Sequence, residues 1–196
     1  ERYVNQNFDK IIGSGGLEIY LTEGSENKII VEADENLLEI IETSISNGIL
    51  TIQTKKNIIS SEAKRVLITF KNLSVVKANS GTTITGKSII RNKILTLEGS
   101  SGATIDMEVF AKELFTKTSS GANININGKA TMLYAKTSSG SELNAKDLNT
   151  INNYQNASHL FPNKEYSKNK LVIVCSNHIE DEFSFCKKSL DMDNFI

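Results

Sequence analysis

The sequence predicts an all-β protein whose main body is a right-handed parallel β-helix, a solenoid with coils of 19–21 residues, preceded by a mainly β N-terminal part with one short helix. Three observations carry that expectation. A Ser-Gly template recurs four times in phase, and polar and apolar residues alternate around it. The repeat is also too short to hold two strands and a crossover helix. A β-sandwich with evenly spaced strands is the rival. A sandwich does not need the same residue class in every strand, whereas stacked coils do.

The template reads Ser80-Gly81-Thr82-Thr83-Ile84, Ser101-Gly102-Ala103-Thr104-Ile105, Ser120-Gly121-Ala122-Asn123-Ile124 and Ser139-Gly140-Ser141-Glu142-Leu143. Successive glycines are 21, 19 and 19 residues apart. Leu95, Leu114 and Leu133 precede the serines by a constant interval, as do Lys77, Glu98, Lys117 and Lys136. Each repeat is expected to hold two or three short strands around a turn, where glycine takes positive φ at no steric cost. Stacking would place Ile84, Ile105, Ile124 and Leu143 in one inward ladder and Leu95, Leu114 and Leu133 in another.

Three segments follow from this pattern: residues 1–72, the repeat at 73–158, and an atypical stretch at 159–196. In the first, Leu17–Leu21 and Ile29–Ala33 flank a glycine-bearing loop and read as a hairpin. Asp34 is a candidate cap for a helix over residues 35–43 with Leu37, Leu38, Ile40 and Ile41 on its apolar face. Asn47-Gly48 is a tight-turn signal before a strand over Ile49–Gln53, and Val66–Phe70 is the next strand. Beyond Asn149 the template decays: Ser158-His159 replaces Ser-Gly, and Pro162 stands where an inward Ile is due. The last segment reads as a cap for open strand edges.

Composition bounds the function. The chain has 196 residues, 39% hydrophobic and 23% charged, with a formal net charge of −1. That balance argues against nucleic acid as a partner, and no apolar stretch approaches the roughly 20 residues of a membrane span. Cys175 and Cys186 could form one disulfide in an oxidising compartment, but two cysteines are no framework. With His159 and His178 they show no metal-ligand spacing, so no metal and no cofactor is expected. The chain starts at Glu1, which fits a truncated form or a mature form after removal of an export signal.

Catalysis on a solenoid wall would need carboxylates converging on one face. Asp106 and Glu108 are two apart on one strand face and read as a solvated outward pair. No GxSxG elbow, calcium repeat or phosphate loop is present; Ser14-Gly15-Gly16 lacks the lysine and helix of the last. No catalytic residue is therefore assigned. Binding chemistry is easier to place. Five residues before their serines stand Phe115 and Tyr134, followed by Lys117 and Lys136. In register, the two rings would lie about 4.8 Å apart with lysines beside them. Such a surface suits a sugar ring, apolar on its face and polar at its rim; it suits a structural aromatic ladder equally.

Phe8-Asp9-Lys10-Ile11, then Leu17–Gly24, then Asn47-Gly48-Ile49-Leu50-Thr51-Ile52, then the repeated Ser-Ser-Gly motifs resemble the GIN-domain family over residues 8–150. Its members are labelled putative auto-transporter adhesin heads of Gram-negative bacteria. The resemblance implies an exported or lipid-anchored cell-envelope protein, in the periplasm or at the outer-membrane surface. It implies a β-helical fold and binding at a surface, and it transfers neither a ligand nor a catalytic motif. The expected function is a non-catalytic adhesin-like module for a cell-surface or matrix glycan or protein. The alternatives are a carbohydrate-active enzyme using Asp106 and Glu108, and a structural module of envelope assembly.

Overall fold

The structure, a computed structural model, describes residues 6–56, 58, 63–155 and 171–174. In chain order the described elements are β1 (Lys10–Gly13), β2 (Glu18–Glu23), β3 (Lys28–Ala33), α1 (Glu35–Leu38), β4 (Ile41–Ser46), β5 (Ile49–Thr54) and β6 (Lys64–Phe70). The repeat region adds β7 (Val75–Ala78), β8 (Thr83–Gly86), β9 (Ile90–Gly99), β10 (Thr104–Thr118), β11 (Asn123–Thr137) and β12 (Glu142–Gln155), and β13 (Leu171–Val174) follows.

These strands form one sheet in the order β3-β6-β2-β8-β10-β9-β7-β1-β5-β4, with β11, β12 and β13 added in turn beyond β10. β10 is the junction. Its Thr104–Asp106 end pairs with β8, and its Val109–Thr118 stretch pairs with β9. One strand thus belongs to two walls: β3, β6, β2 and β8 on one side, and β4, β5, β1, β7 and β9 on the other.

The bend is written in the burial pattern. Ile105, Met107, Val109 and Ala111 point inward, and the inward set then moves by one residue to Leu114, Thr116 and Thr118. β11 repeats the slip between Ala130 and Leu133. Side chains alternate strictly along a regular strand, so a one-residue slip marks a local turn of the backbone. The walls face each other across the core. A Cβ on Gly13 of β1 would lie 2.5 Å from Ile19 Cδ1 of β2, so a side chain there would have to push the Ile19 methyl aside.

The inward ladders come from parallel register. Ile84 pairs with Ile105, Ile105 with Ile124, and Ile124 with Leu143; Leu95, Leu114 and Leu133 form the second line. Every one of these residues is buried, and full burial of such a side chain contributes about 1.5–3 kcal/mol.

The expected right-handed parallel β-helix is overturned. The protein is mostly β, a single open, curled half-barrel sheet of mixed sense. Three of the four repeats are each one strand, of 15, 15 and 14 residues, and only the first is divided into two short strands, β8 and β9. The outer pairs β3 with β6, β4 with β5, and β12 with β13 are antiparallel. A constant offset of 19 residues satisfies any parallel stacking of equivalent strands. It therefore fixed the pairing without distinguishing coils from a curled sheet.

Two local expectations also change. β2 and β3 do not form a hairpin, because β6 lies between them, parallel to β2 and antiparallel to β3. The Gly24 amide donates to Phe70 O (2.9 Å) and the Asn27 side chain accepts from the Lys71 amide (3.0 Å), tying the loop to β6. The helix is one turn long, and Ile41 instead opens β4. The Asp34 carboxylate accepts from the Ala63 amide at 2.9 Å in place of capping the helix. Pairing with β5 outweighs the helical periodicity of this short stretch. The Asn47-Gly48 turn is as expected: φ of 51° and 75° joins β4 to β5. Ser158, His159, Pro162, Cys175, His178 and Cys186 lie outside the described residues.

Candidate binding face

The Ser-Gly turns stack into a column. Ser80, Ser101, Ser120 and Ser139 adopt φ of 52°, 53°, 53° and 57°, each followed by a glycine at 66–71°. Gly81 donates to Ser101 O, Gly102 to Ser120 O and Gly121 to Ser139 O, at 3.0–3.1 Å. Gly15 and Gly16, at φ 89° and 70°, form a further rung, with the Gly16 amide on Ser80 O at 3.0 Å. Sequence reasoning missed this rung because β3 to β6 are inserted between it and the next. The signal was present in Ser14-Gly15-Gly16-Leu17, which matches Asn79-Ser80-Gly81-Thr82 in position. The backbone hydrogen bonds of the column run along its own axis and tie successive turns together.

Outside the second wall, Phe115 and Tyr134 pair in register on β10 and β11. Their rings stack with centroids 4.6 Å apart and planes at 7°. Both are half-buried on the outward face, while Leu114 and Leu133 beside them point into the core. The Tyr134 hydroxyl donates to Met132 Sδ at 3.5 Å. Thr96 precedes Phe115 on the same line.

Two residues on, Lys77, Glu98, Lys117 and Lys136 form a parallel line of their own. Glu98 pairs with Lys77 at 3.0 Å. Lys117 and Lys136 are exposed and make no ion pair among the described residues. The structure thus brings all four proposed ligand-binding residues onto one surface, with the aromatic faces inboard of two uncommitted cations. Such a surface can receive a ring or chain that offers an apolar face and hydrogen-bond acceptors.

The carboxylates sit elsewhere. Asp106 accepts from Asn125 Nδ2 at 2.5 Å, and Glu108 stands opposite Asn127. Asp106 shares a shallow recess with Asn125, Asn144 and Asp147 on the first wall, on the far side of the bend from Phe115, and Glu108 lies outside it. No group of three or more His, Cys, Asp or Glu residues able to hold a metal occurs among the described residues. Glu42, on β4, is held below its ordinary pKa by the Gln53 amide and then by the Lys55 ammonium. It serves the β4–β5 hairpin. No helix among the described residues is long and apolar enough to cross a membrane.

Comparisons with known proteins agree with the topology. Residues 7–158 match the protein family described as "Putative auto-transporter adhesin, head GIN domain". Among solved structures, a putative adhesin from Bacteroides fragilis NCTC 9343 superposes with a TM-score of 0.74 at 14% identity, covering 79% of this chain and 73% of that one. A putative adhesin from Parabacteroides merdae ATCC 43184 gives 0.59 at 20% identity, covering 78% and 74%. A putative lipid binding protein from Parabacteroides distasonis ATCC 8503 gives 0.63 at 13% identity, covering 77% and 74%. At these identities the likeness is one of fold. No protein of curated function matches the chain.

Proposed function

Because the chain belongs to the auto-transporter adhesin head GIN-domain family, we propose that it is a non-catalytic binding module of the bacterial cell envelope, exported to the periplasm or the outer-membrane surface. Its ligand is a glycan or a protein of a cell surface or matrix. The observation that carries the reading is the Phe115 and Tyr134 stack, 4.6 Å between centroids, with Lys117 and Lys136 exposed beside it. The aromatic faces supply apolar contact at low entropic cost, and the ammonium groups supply hydrogen bonds at the rim.

In this reading residues 73–158 carry the binding face and residues 1–72 extend both walls. Residues 159–196 protect the β12 edge, where Leu171–Val174 pairs with Ala145–Glu142. The test is an array of glycans and matrix proteins probed with the wild-type chain and with Phe115→Ala/Tyr134→Ala. Specific binding that the variant loses supports the assignment. Binding that survives moves the site off this face, and a blank array removes the adhesin reading.

A further inference from the structure

We propose that the groove at the bend between the two walls is a second binding site, for a linear anionic polysaccharide. The groove encloses about 730 Å³ and crosses four successive strands, β9 to β12. Arg91, Phe110 and Lys129 lie on one register line along it, and Lys93 and Lys112 stand at the bend beside them. None of the residues lining it is acidic.

Two features set this groove apart from ordinary solvated surface. Phe110 in the lining is 55% exposed, so a large apolar side chain and cations concentrate at one place; Ile94, 52% exposed, lies outside the lining opposite Glu113. An exposed aromatic on the outward parity of a strand gains nothing for the core. The cations are also largely uncommitted. Arg91 pairs with Glu23 at 3.2 Å, but Lys93, Lys112 and Lys129 make no ion pair among the described residues. The neighbouring acids, Glu108 two residues before Phe110 and Glu113 beside Lys112, lie outside the lining.

The shape selects the ligand class. Arg91 and Lys129 are two strand spacings apart, roughly 10 Å, with Phe110 between them. In a linear polyuronate, which carries one acid group per sugar, every second acid group recurs at a comparable interval. Its intervening sugar can lay an apolar ring face on Phe110 while its acid groups meet the cations. A trough across four strands accepts a chain. A flat lipid surface calls for a protruding patch instead, and a lone phosphate would leave Phe110 unused.

The experiment measures binding of the full chain to immobilised polygalacturonate, with neutral dextran and anionic lipid vesicles as comparators. The wild type is expected to bind polygalacturonate and not dextran, more weakly as salt rises. Lys112→Glu/Lys129→Glu is expected to weaken binding by about tenfold or more. Lys112→Gln/Lys129→Gln should lose less, and Phe110→Ala should weaken binding without changing its salt dependence. The charge-matched Lys56→Glu/Lys146→Glu variant, on exposed positions away from the groove, should bind as the wild type does. The proposal is overturned by absence of polygalacturonate binding, by equal loss in both charge-reversed variants, or by a preference for vesicles over the polysaccharide.

Discussion

Gly102 donates its amide hydrogen to the Ser120 carbonyl across 3.0 Å, and Ser120 itself sits at φ 53°. A left-handed serine costs about 1–2 kcal/mol. The turn column tolerates it because each rung supplies the acceptor for its neighbour, so the strain is held by hydrogen bonds on both sides.

Substitution at a positive-φ glycine should be mild where space is open, as in the column, and severe where it is not, as inside β11. A Cβ on Gly102 meets nothing within 4 Å, so Gly102→Ala should cost about 1–2 kcal/mol, from φ alone. Gly128, at φ 106°, faces the Val109 carbonyl, and a Cβ there collides with the neighbouring backbone. Gly128→Ala should cost about 3 kcal/mol or more. Denaturant melts of the two variants give the comparison, and equal losses would contradict the geometry.

The two sides of the second wall should separate stability from binding. Leu114 is fully buried, so Leu114→Ala should lose about 2–5 kcal/mol. Its neighbour Phe115 faces outward, and Phe115→Ala should cost about 0.5–1.5 kcal/mol through loss of the stack with Tyr134. Thermal unfolding of the pair checks the parity of β10 directly.

Some of this architecture was legible in the residues and some was not. Ile84, Ile105, Ile124 and Leu143 announced their ladder, because parallel register preserves both interval and residue class. Asn47-Gly48 announced its hairpin, because positive φ at two successive positions admits few residue types. The bend at Lys112 carries no turn residue, since a one-residue slip suffices, so the sequence by itself points to several short strands. The insertion of β6 between β2 and β3 is a non-local pairing that no local pattern encodes. Phe115 and Tyr134 were visible through their spacing. Sequence reasoning does not single out Phe110, although it stands 19 residues from both Arg91 and Lys129.

Buried hydroxyls offer a stabilising change. Thr118 Oγ1 lies inside the second wall with no hydrogen-bond partner. Thr118→Val keeps the shape and removes an unsatisfied group, so it should raise stability by about 1–2 kcal/mol. A rise in the urea midpoint at constant m-value is the expected result, and a fall would mean that the hydroxyl has a role in the fold.

The Lys77 and Glu98 pair is about a third exposed, with side-chain values of 37% and 32%, and should be worth no more than about 1 kcal/mol. Glu98→Gln should lower stability slightly at low salt and have little effect at high salt. Glu98→Lys should cost more, because it leaves Lys77, Lys117 and Lys136 in line with a fourth cation at strand spacing.

Deleting residues 156–196 removes β13 and frees the Glu142–Ala145 stretch of β12. An unpaired strand is a template for another chain. Light scattering should show concentration-dependent association of the shortened chain, whereas an unchanged monomer would mean that β13 does not guard the edge.

The central claim is that ligand meets the outward face of the second wall at Phe115 and Tyr134. Backbone chemical-shift mapping of the labelled chain, titrated with a ligand selected on the array, tests it most directly. The account predicts that the largest perturbations cluster at Phe115, Lys117, Tyr134 and Lys136 and vanish in Phe115→Ala/Tyr134→Ala. Perturbations centred on the Ser-Gly column or on the β4–β5 hairpin, with these four residues unmoved, would contradict it.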